Sequence, residues 1–456
     1  MTSEWRELPF TEAVDINPKV KLKKGDSYPF VDMKAIDPSW RNVTESEQRA
    51  FTSGGAKFEA FDTLLARITP CLENGKIARY VPTNGSDGPA FGSTEFIVIR
   101  GKKGVTDNDF AYYLTKWQEF RQFAISQMTG SSGRQRVPAE SLGGFAVPVP
   151  ELSEQRVIAH ILGSLDDKIE LNRKMNETLE AMAQALFKSW FIDFDPVIDN
   201  ALAAGNAIPE ELQIRAAMRE SLADARKPLP DDVRDLFPSE FEFTEEMGWI
   251  PKGWEVQVLD DLVDLTGGGT PKTSIAEYWN GEIPWFSVVD APNSTDVFVI
   301  DTEKHVTQLG VEKSSTKILP VGTTIVSARG TVGKCALVGE PMAMNQSCYG
   351  VIGKGEISDI FVYYAIREKV ADLQRSGHGS VFNTITRDTF KTIRIAFSGD
   401  SLTKKLEAHI KPSFDRILAN CFHSRDLSSQ RDLLIPKLLS GEIRIPKPEA
   451  MLESIL

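Results

Sequence analysis

The apolar positions of this chain fall into two long helical seams about 248 residues apart. The first reads Ile158, Leu162, Ile169, Asn172, Leu179, Leu186, Trp190 and the second Leu406, Ile410, Ile417, Asn420, Leu427, Leu434, Leu438. Every pair carries the same offset, and a polar Asn recurs at the same place. From Leu165 onward the spacing in the first seam alternates four and three through Ile169, Asn172, Asn176, Leu179, Ala183 and Leu186. That is the period of a coiled coil, in which a seam Asn lowers stability but fixes register and partner. An amphipathic helix lying on its own domain is the plainer alternative. The first helix is expected to start after Pro150 with Ser153 as its N-cap and to stop before Pro196. The second is expected over about 401–439, broken near Pro412 and kinked near Pro436, because proline removes a backbone bond and clashes with the preceding turn.

Ahead of each helix lies a globular segment of short β-rich runs punctuated by Gly and Pro. The two segments echo each other. Trp5 and Val14-Asp15-Ile16 match Trp254 and Val263-Asp264-Leu265, and Tyr28-Pro29-Phe30-Val31 matches Ile283-Pro284-Trp285-Phe286. Asp62–Arg67 matches Thr324–Arg329, each leading to a Gly-Lys at Gly75-Lys76 and Gly333-Lys334. One helix is expected in each, near 108–127 and 357–374. The pattern predicts a mixed α/β fold: two strand-rich domains joined by two long helices forming an antiparallel coiled coil, with a pseudo-two-fold internal repeat. The divisions are 1–150, a spacer helix in 151–195, an acidic connector in 196–247, a second globular unit in 248–398, a second spacer helix in 399–441 and a tail in 442–456.

Composition changes this picture in one respect. The net charge is −12, which at first argues against nucleic acid. By segment the balance is about +1 for 1–150, about −11 for 151–250, about −3 for 251–398 and about +1 for 399–456. The acid is concentrated in the middle, so a local basic face on either globular unit stays open. Four distant cysteines, Cys71, Cys335, Cys348 and Cys421, read as reduced thiols. No 18-residue apolar run and no charged-then-apolar leader is present in the sequence, so a cytoplasmic protein without a membrane partner is expected.

Catalytic signatures are missing. Gly330-Thr331-Val332-Gly333-Lys334-Cys335 brushes against a P-loop, but Ala328 and Cys335 stand where Gly and Ser/Thr are needed. Gly267-Gly268-Gly269 reads as a flexible loop. Asp166-Asp167-Lys168 reads as a solvated helix face, and the five histidines lack metal-ligand spacing. No catalytic or metal site is expected. The polar loops are better candidates. Ser131, Ser132, Gly133, Arg134, Gln135 and Arg136 combine small residues with side chains that read guanine and adenine edges. The matching stretch offers Gly379, Ser380, Asn383 and Thr384, and Arg67 with Lys76 and Arg329 with Lys334 form a second candidate set.

These residues resemble the specificity subunit of a type I DNA restriction–modification enzyme. The likeness is sharpest over Glu154–Pro196, EQRVIAHILGSLDDKIELNRKMNETLEAMAQALFKSWFIDFDP, and over Arg431–Ile445, RDLLIPKLLSGEIRI. Gly248–Glu255, Gly268-Gly269-Thr270-Pro271 and Tyr278-Trp279 add to it. The resemblance implies two target-recognition domains, 1–150 and 248–398, each reading half of a split, asymmetric double-stranded DNA site. It implies that the helices act as a spacer and dock two methyltransferase subunits, through which motor–nuclease subunits join. The chain itself would be a non-catalytic subunit of an adenine-N6 DNA methyltransferase and restriction endonuclease. S-adenosylmethionine, ATP and magnesium would then sit on partner subunits. A duplicated coiled-coil scaffold binding protein or carbohydrate is the competing reading.

Overall fold

The computed structural model describes residues 5–455 apart from 84, 86, 87, 132, 223–227, 293–295 and 377–383. The chain divides into two compact units, Met1–Leu171 with His423–Leu456, and Asn172–Phe422.

The first unit is built on a five-stranded sheet, in the order Val14–Ile16, Phe96–Gly101, Thr63–Ala66, Ile77–Tyr80, Asn42–Val43. All neighbours are antiparallel except the last pair. Its central strands are apolar on both faces because both faces are covered. Successive side chains of a strand point to opposite sides. Ile97 and Ile99 join the core beneath the helices, while Phe96 and Val98 join a second core with Val31, Phe58 and Tyr80. That second core is closed by a smaller sheet, Glu47–Ala50, Ser27–Val31, Ala90–Gly92, Ala56–Phe58. The single helix expected near 108–127 is two, Asn108–Lys116 and Gln118–Ser126. The Asp107 carboxylate accepts from the Asp109 and Phe110 amides and starts the first, and extended backbone at Trp117 separates them.

The second unit repeats this strand order and these senses: Val263–Gly267, Cys348–Gly353, Thr324–Ser327, Cys335–Val338, Phe298–Val299. A smaller sheet pairs Trp279–Phe286 with His305–Val306 and Ala343–Met344. One helix, Asp359–Ser376, covers the sheet, so here the expected single helix is found. The connector contributes the helices Asp195–Ala204 and Gln213–Ser221 to this unit, where Arg215 and Arg219 are held by Asp193, Asp195 and Asp199. Gly267-Gly268-Gly269 is not a flexible loop. A side chain at Gly268 would collide with the Asn345 carbonyl, and the Gly269 amide donates to Met344. Gly268 and Gly269 are glycine because neighbouring backbone passes too close for a side chain, whereas at Gly267 there is room for one.

The long helices are Leu152–Phe191 and Asp400–Leu439. Each contributes one part to each unit, and within each unit the two parts run antiparallel. In the first unit Arg431 pairs with Asp166 at 2.6 Å and Arg444, past the second helix, pairs with Glu154 at 3.1 Å. In the second unit the Asn420 side-chain amide donates to Asn176 at 2.8 Å, and the Trp190 and His409 rings lie 5.6 Å apart. Of the seam positions, Ile169, Asn172, Ile417, Asn420 and Leu427 are buried, whereas Leu165, Leu179, Leu186 and Leu434 are half-buried.

Three expectations need correcting. The second helix does not break at Pro412; it is continuous through Pro412 and Pro436. The carbonyls those prolines deprive of a partner belong to Ala408 and Asp432, both exposed, where water can donate in place of the missing amide. The first helix begins at Leu152, and the Ser153 hydroxyl donates to Glu449 instead of capping. Asp166 is not part of a solvated face. It is buried at 7% exposure and accepts from Arg431 and from the Tyr113 hydroxyl.

Candidate nucleic-acid interface

In the first unit, three stretches of chain meet at the end of strand Thr63–Ala66. The Arg67 amide donates to the Glu95 carbonyl at 2.9 Å, and the Val137 amide donates to the Arg67 carbonyl at 2.9 Å. Thr69 and Gln135 add two more bonds, and Thr129 and Arg136 bond each other in both directions. These clamps hold out a turn at 130–134 whose glycines, Gly130 and Gly133, have positive φ (122° and 77°). Ser131, Gly133 and Arg134 are exposed on it, Gln135 and Arg136 are half-buried, and Ser132 lies outside the described residues.

The arginines of this cluster differ in availability. Arg136 is spent internally: its guanidinium donates to both Glu95 oxygens at 2.7–3.0 Å and to the Arg134 carbonyl. Among the described residues no hydrogen bond or ion pair engages the Arg134 side chain, and the buried Nε of Arg67 has no acceptor. Lys76 is committed to the Met33 carbonyl at 3.1 Å. Arg136 is therefore the neutralised cation of this cluster, and Arg67, Arg134 and Lys76 have no carboxylate partner among the described residues.

The second unit has the same frame with other side chains. The Ala328 amide donates to the Ser347 carbonyl at 2.7 Å, and the Ile385 amide donates to the Ala328 carbonyl at 2.9 Å. Ala328 therefore stands where Arg67 stands in the first unit. The sequence match of Arg67 with Arg329 is off by one residue. A slip of one on a strand reverses which face a side chain takes, and Arg67 is half-buried while Arg329 is exposed. Arg329 and Lys334 flank a hairpin turn closed by Ser327, whose hydroxyl accepts from the Lys334 amide at 2.9 Å. Among the described residues neither side chain has an ion pair. The turn leads into strand Cys335–Val338, not a helix, so its P-loop-like sequence lacks a helix N-terminus to hold phosphate. Burial pushes the Cys335 thiol well up, leaving it no thiolate to react with. Thr384 directly precedes Ile385 and is half-buried; Gly379, Ser380 and Asn383 lie outside the described residues.

Two polar residues near these clusters escape sequence reasoning. Glu95 fixes Arg136, and the exposed Gln346 bonds Thr270 beside the same second-unit frame. Both immediately or nearly precede an apolar strand, Phe96–Gly101 or Cys348–Gly353, and that shared position is the signal that could have found them.

Residues 18–181 and 251–398 match the family described as the type I restriction modification DNA specificity domain. The chain is 30% identical over 374 residues to the specificity subunit of the type I restriction enzyme HindI of Haemophilus influenzae, covering 77% of this chain and 81% of that one. The chain belongs to this family. Its members include the EcoAI specificity subunit of Escherichia coli, 31% identical over 364 residues, which cover 66% of this chain and 59% of that one. A solved type I S subunit from M. genitalium is 14% identical over 96% of each chain, with a TM-score of 0.48. Specificity subunits are the non-catalytic members of type I restriction–modification systems, and DNA sequence recognition is what the family implies for this chain. Among the described residues no group of three or more His, Cys, Asp or Glu is placed to hold a metal ion, and no helix is long and apolar enough to cross a membrane.

Proposed function

We propose that each globular unit reads one half of a bipartite, asymmetric DNA sequence. The recognition domains are 1–150 and 248–398, and the helices in 151–195 and 399–441 form an antiparallel coiled-coil spacer that docks two methyltransferase subunits. Motor–nuclease subunits join through that assembly, and S-adenosylmethionine, ATP and magnesium belong to the partners. The observation that carries this reading is one backbone frame furnished with two different sets of side chains. The clamp at Arg67, Glu95 and Val137 recurs at Ala328, Ser347 and Ile385. It presents Arg67 and Arg134 in one unit, and Arg329 and Lys334 in the other. Bases are read by the side chains that reach groove edges, whereas position is set by backbone contacts. Equal frames with unequal readers suit two unlike half-sites, and the shared strand order supports an internal duplication. The candidate contacts are Arg67, Lys76, Ser131, Ser132, Gly133, Arg134, Gln135, Arg136, Arg329, Lys334, Gly379, Ser380, Asn383 and Thr384. Of these, Arg136 acts by holding the frame, since its charge is already paired with Glu95.

Co-expression with the cognate methyltransferase tests the proposal. Adenine-N6 methylation at one split, non-palindromic motif is the expected result, and methylated DNA without such a motif contradicts it.

A further inference from the structure

A cavity of about 460 Å³ opens in the first unit, lined by residues of helix Gln118–Ser126, the turn at 74–75 and the last part of the second long helix. It gathers Lys116, Arg121 and Arg431, with Ile125 and Ile435 on its wall. Arg431 has its own acids, Asp166 and Asp432. Among the described residues neither Lys116 nor Arg121 has a carboxylate at ion-pair distance, although Asp432 acts on both, and Asp166 on Lys116, from further away. The Lys116 ammonium donates to the Pro38 carbonyl at 3.2 Å, and Arg121 Nη2 donates to the Glu73 carbonyl at 3.2 Å. The Arg121 Nε is buried without an acceptor. The guanidinium lies against Gly75, where a side chain would come within 3.1 Å of it and where φ is +71°. The position is therefore made to admit Arg121. Burial first, then the charge of Arg431, lowers the Lys116 pKa to about 8. Lys116, Arg121 and Arg431 outnumber the carboxylates Glu119 and Asp432 on the cavity's lining, which leaves the opening net positive. Arg offers a fork of N–H groups that fits an oxyanion, and Lys a compact charge beside it.

We propose that this cavity binds a phosphate group, with Lys116 and Arg121 as its donors. Glu119 and Asp432 at the cavity limit it to a ligand whose charge is concentrated at one end, as in a phosphate ester. The proposal is independent of the DNA-reading assignment. The same chemistry could come from a free nucleotide or from the DNA backbone.

The test is acylation of lysines in the full chain at constant ionic strength, quantified by mass spectrometry of the Lys116 peptide, with exposed Lys103 as reference. Inorganic phosphate at about ten times its Kd should slow Lys116 about tenfold, by simple occupancy, and leave Lys103 unchanged. Arg121→Gln should remove most of that protection while Lys116 still reports. If that variant fails to fold, protection in the unaltered chain still decides. Equal effects on both lysines, no saturation, or full protection in a folded Arg121→Gln variant would overturn the site. Adenosine monophosphate and a duplex lacking any methylation motif, at equal phosphate, then identify the source. Stronger protection by the first assigns a nucleotide and by the second the DNA backbone; protection by both no stronger than that by inorganic phosphate contradicts the phosphate-ester assignment.

Discussion

Replacing Asp166 with Ala removes a buried carboxylate that ties the two long helices together within the first unit. Asp166 accepts from Arg431 at 2.6 Å and from the Tyr113 hydroxyl at 2.7 Å. Without it, Arg431, whose side chain is 15% exposed, keeps only Asp432, which is 64% exposed. Breaking a buried pair by removing one partner costs about 3–5 kcal/mol. Asp432 retains part of the attraction, so about 3 kcal/mol is expected, including the Tyr113 hydroxyl left without an acceptor. Asp432→Ala removes the exposed partner of the same arginine and should cost about 1 kcal/mol or less. Two units need not unfold together, so the assay is amide hydrogen exchange resolved to residues 152–171. At 1.4 kcal/mol per tenfold, Asp166→Ala should speed exchange there about a hundredfold if opening limits exchange. Asp166→Leu combined with Arg431→Met should recover most of the loss, because well-packed apolar residues often replace a buried pair without cost. Equal losses for Asp166→Ala and Asp432→Ala, or a loss below about 1 kcal/mol for the first, would refute the reasoning.

Other expectations follow from the same contacts. Glu154 is buried, which raises its pKa, but hydrogen bonds from Arg444, Trp5 and the Ile445 amide outweigh this and lower it overall. Its contribution is thus present above the unfolded value of about 4.5 and is lost as pH falls through the lower folded value; Glu154→Gln should flatten the acid limb of a stability–pH curve. Lys116 also has a lowered pKa: with a folded pKa of about 8 against 10.5, the unfolded state binds more protons between those values, so here it is the charged form that burial destabilises. Stability should therefore rise across that pH window, and Lys116→Met should remove the rise in thermal unfolding. Asn420→Ala leaves the Asn176 carbonyl without its 2.8 Å donor in a buried place and should cost about 1–3 kcal/mol in chemical denaturation. Arg134→Ala and Arg329→Ala, taken separately, should each weaken methylation by the assembled methyltransferase by about 1–3 kcal/mol equivalent, without altering melting.

Much of the fold was legible because both repeated patterns are strong. The helix seams and the β-rich runs FIVIRG and KCALVG have the periods of structures with buried faces, and they become long helices and strands of the five-stranded sheets. What escaped depends on contacts distant in sequence. Asp166 looks like any surface acid until Arg431 and Tyr113 are placed against it. The prolines at 412 and 436 look disruptive until the freed carbonyls prove to face water. At the candidate interface, composition picked out the polar turns but not the one-residue slip between Arg67 and Arg329. Nor did it separate Arg136, neutralised by Glu95, from the other cations, since Glu95 is 41 residues away along the chain.

The claim that two unlike readers act independently is met most directly by an exchange of domains. Residues 1–150 are replaced by those of a relative with a different first half-site, and the host's methylated adenines are sequenced in the presence of the cognate methyltransferase. The account predicts a motif altered in one half, with the other half and the gap between them retained. A motif altered in both halves, or one left unchanged, would contradict it.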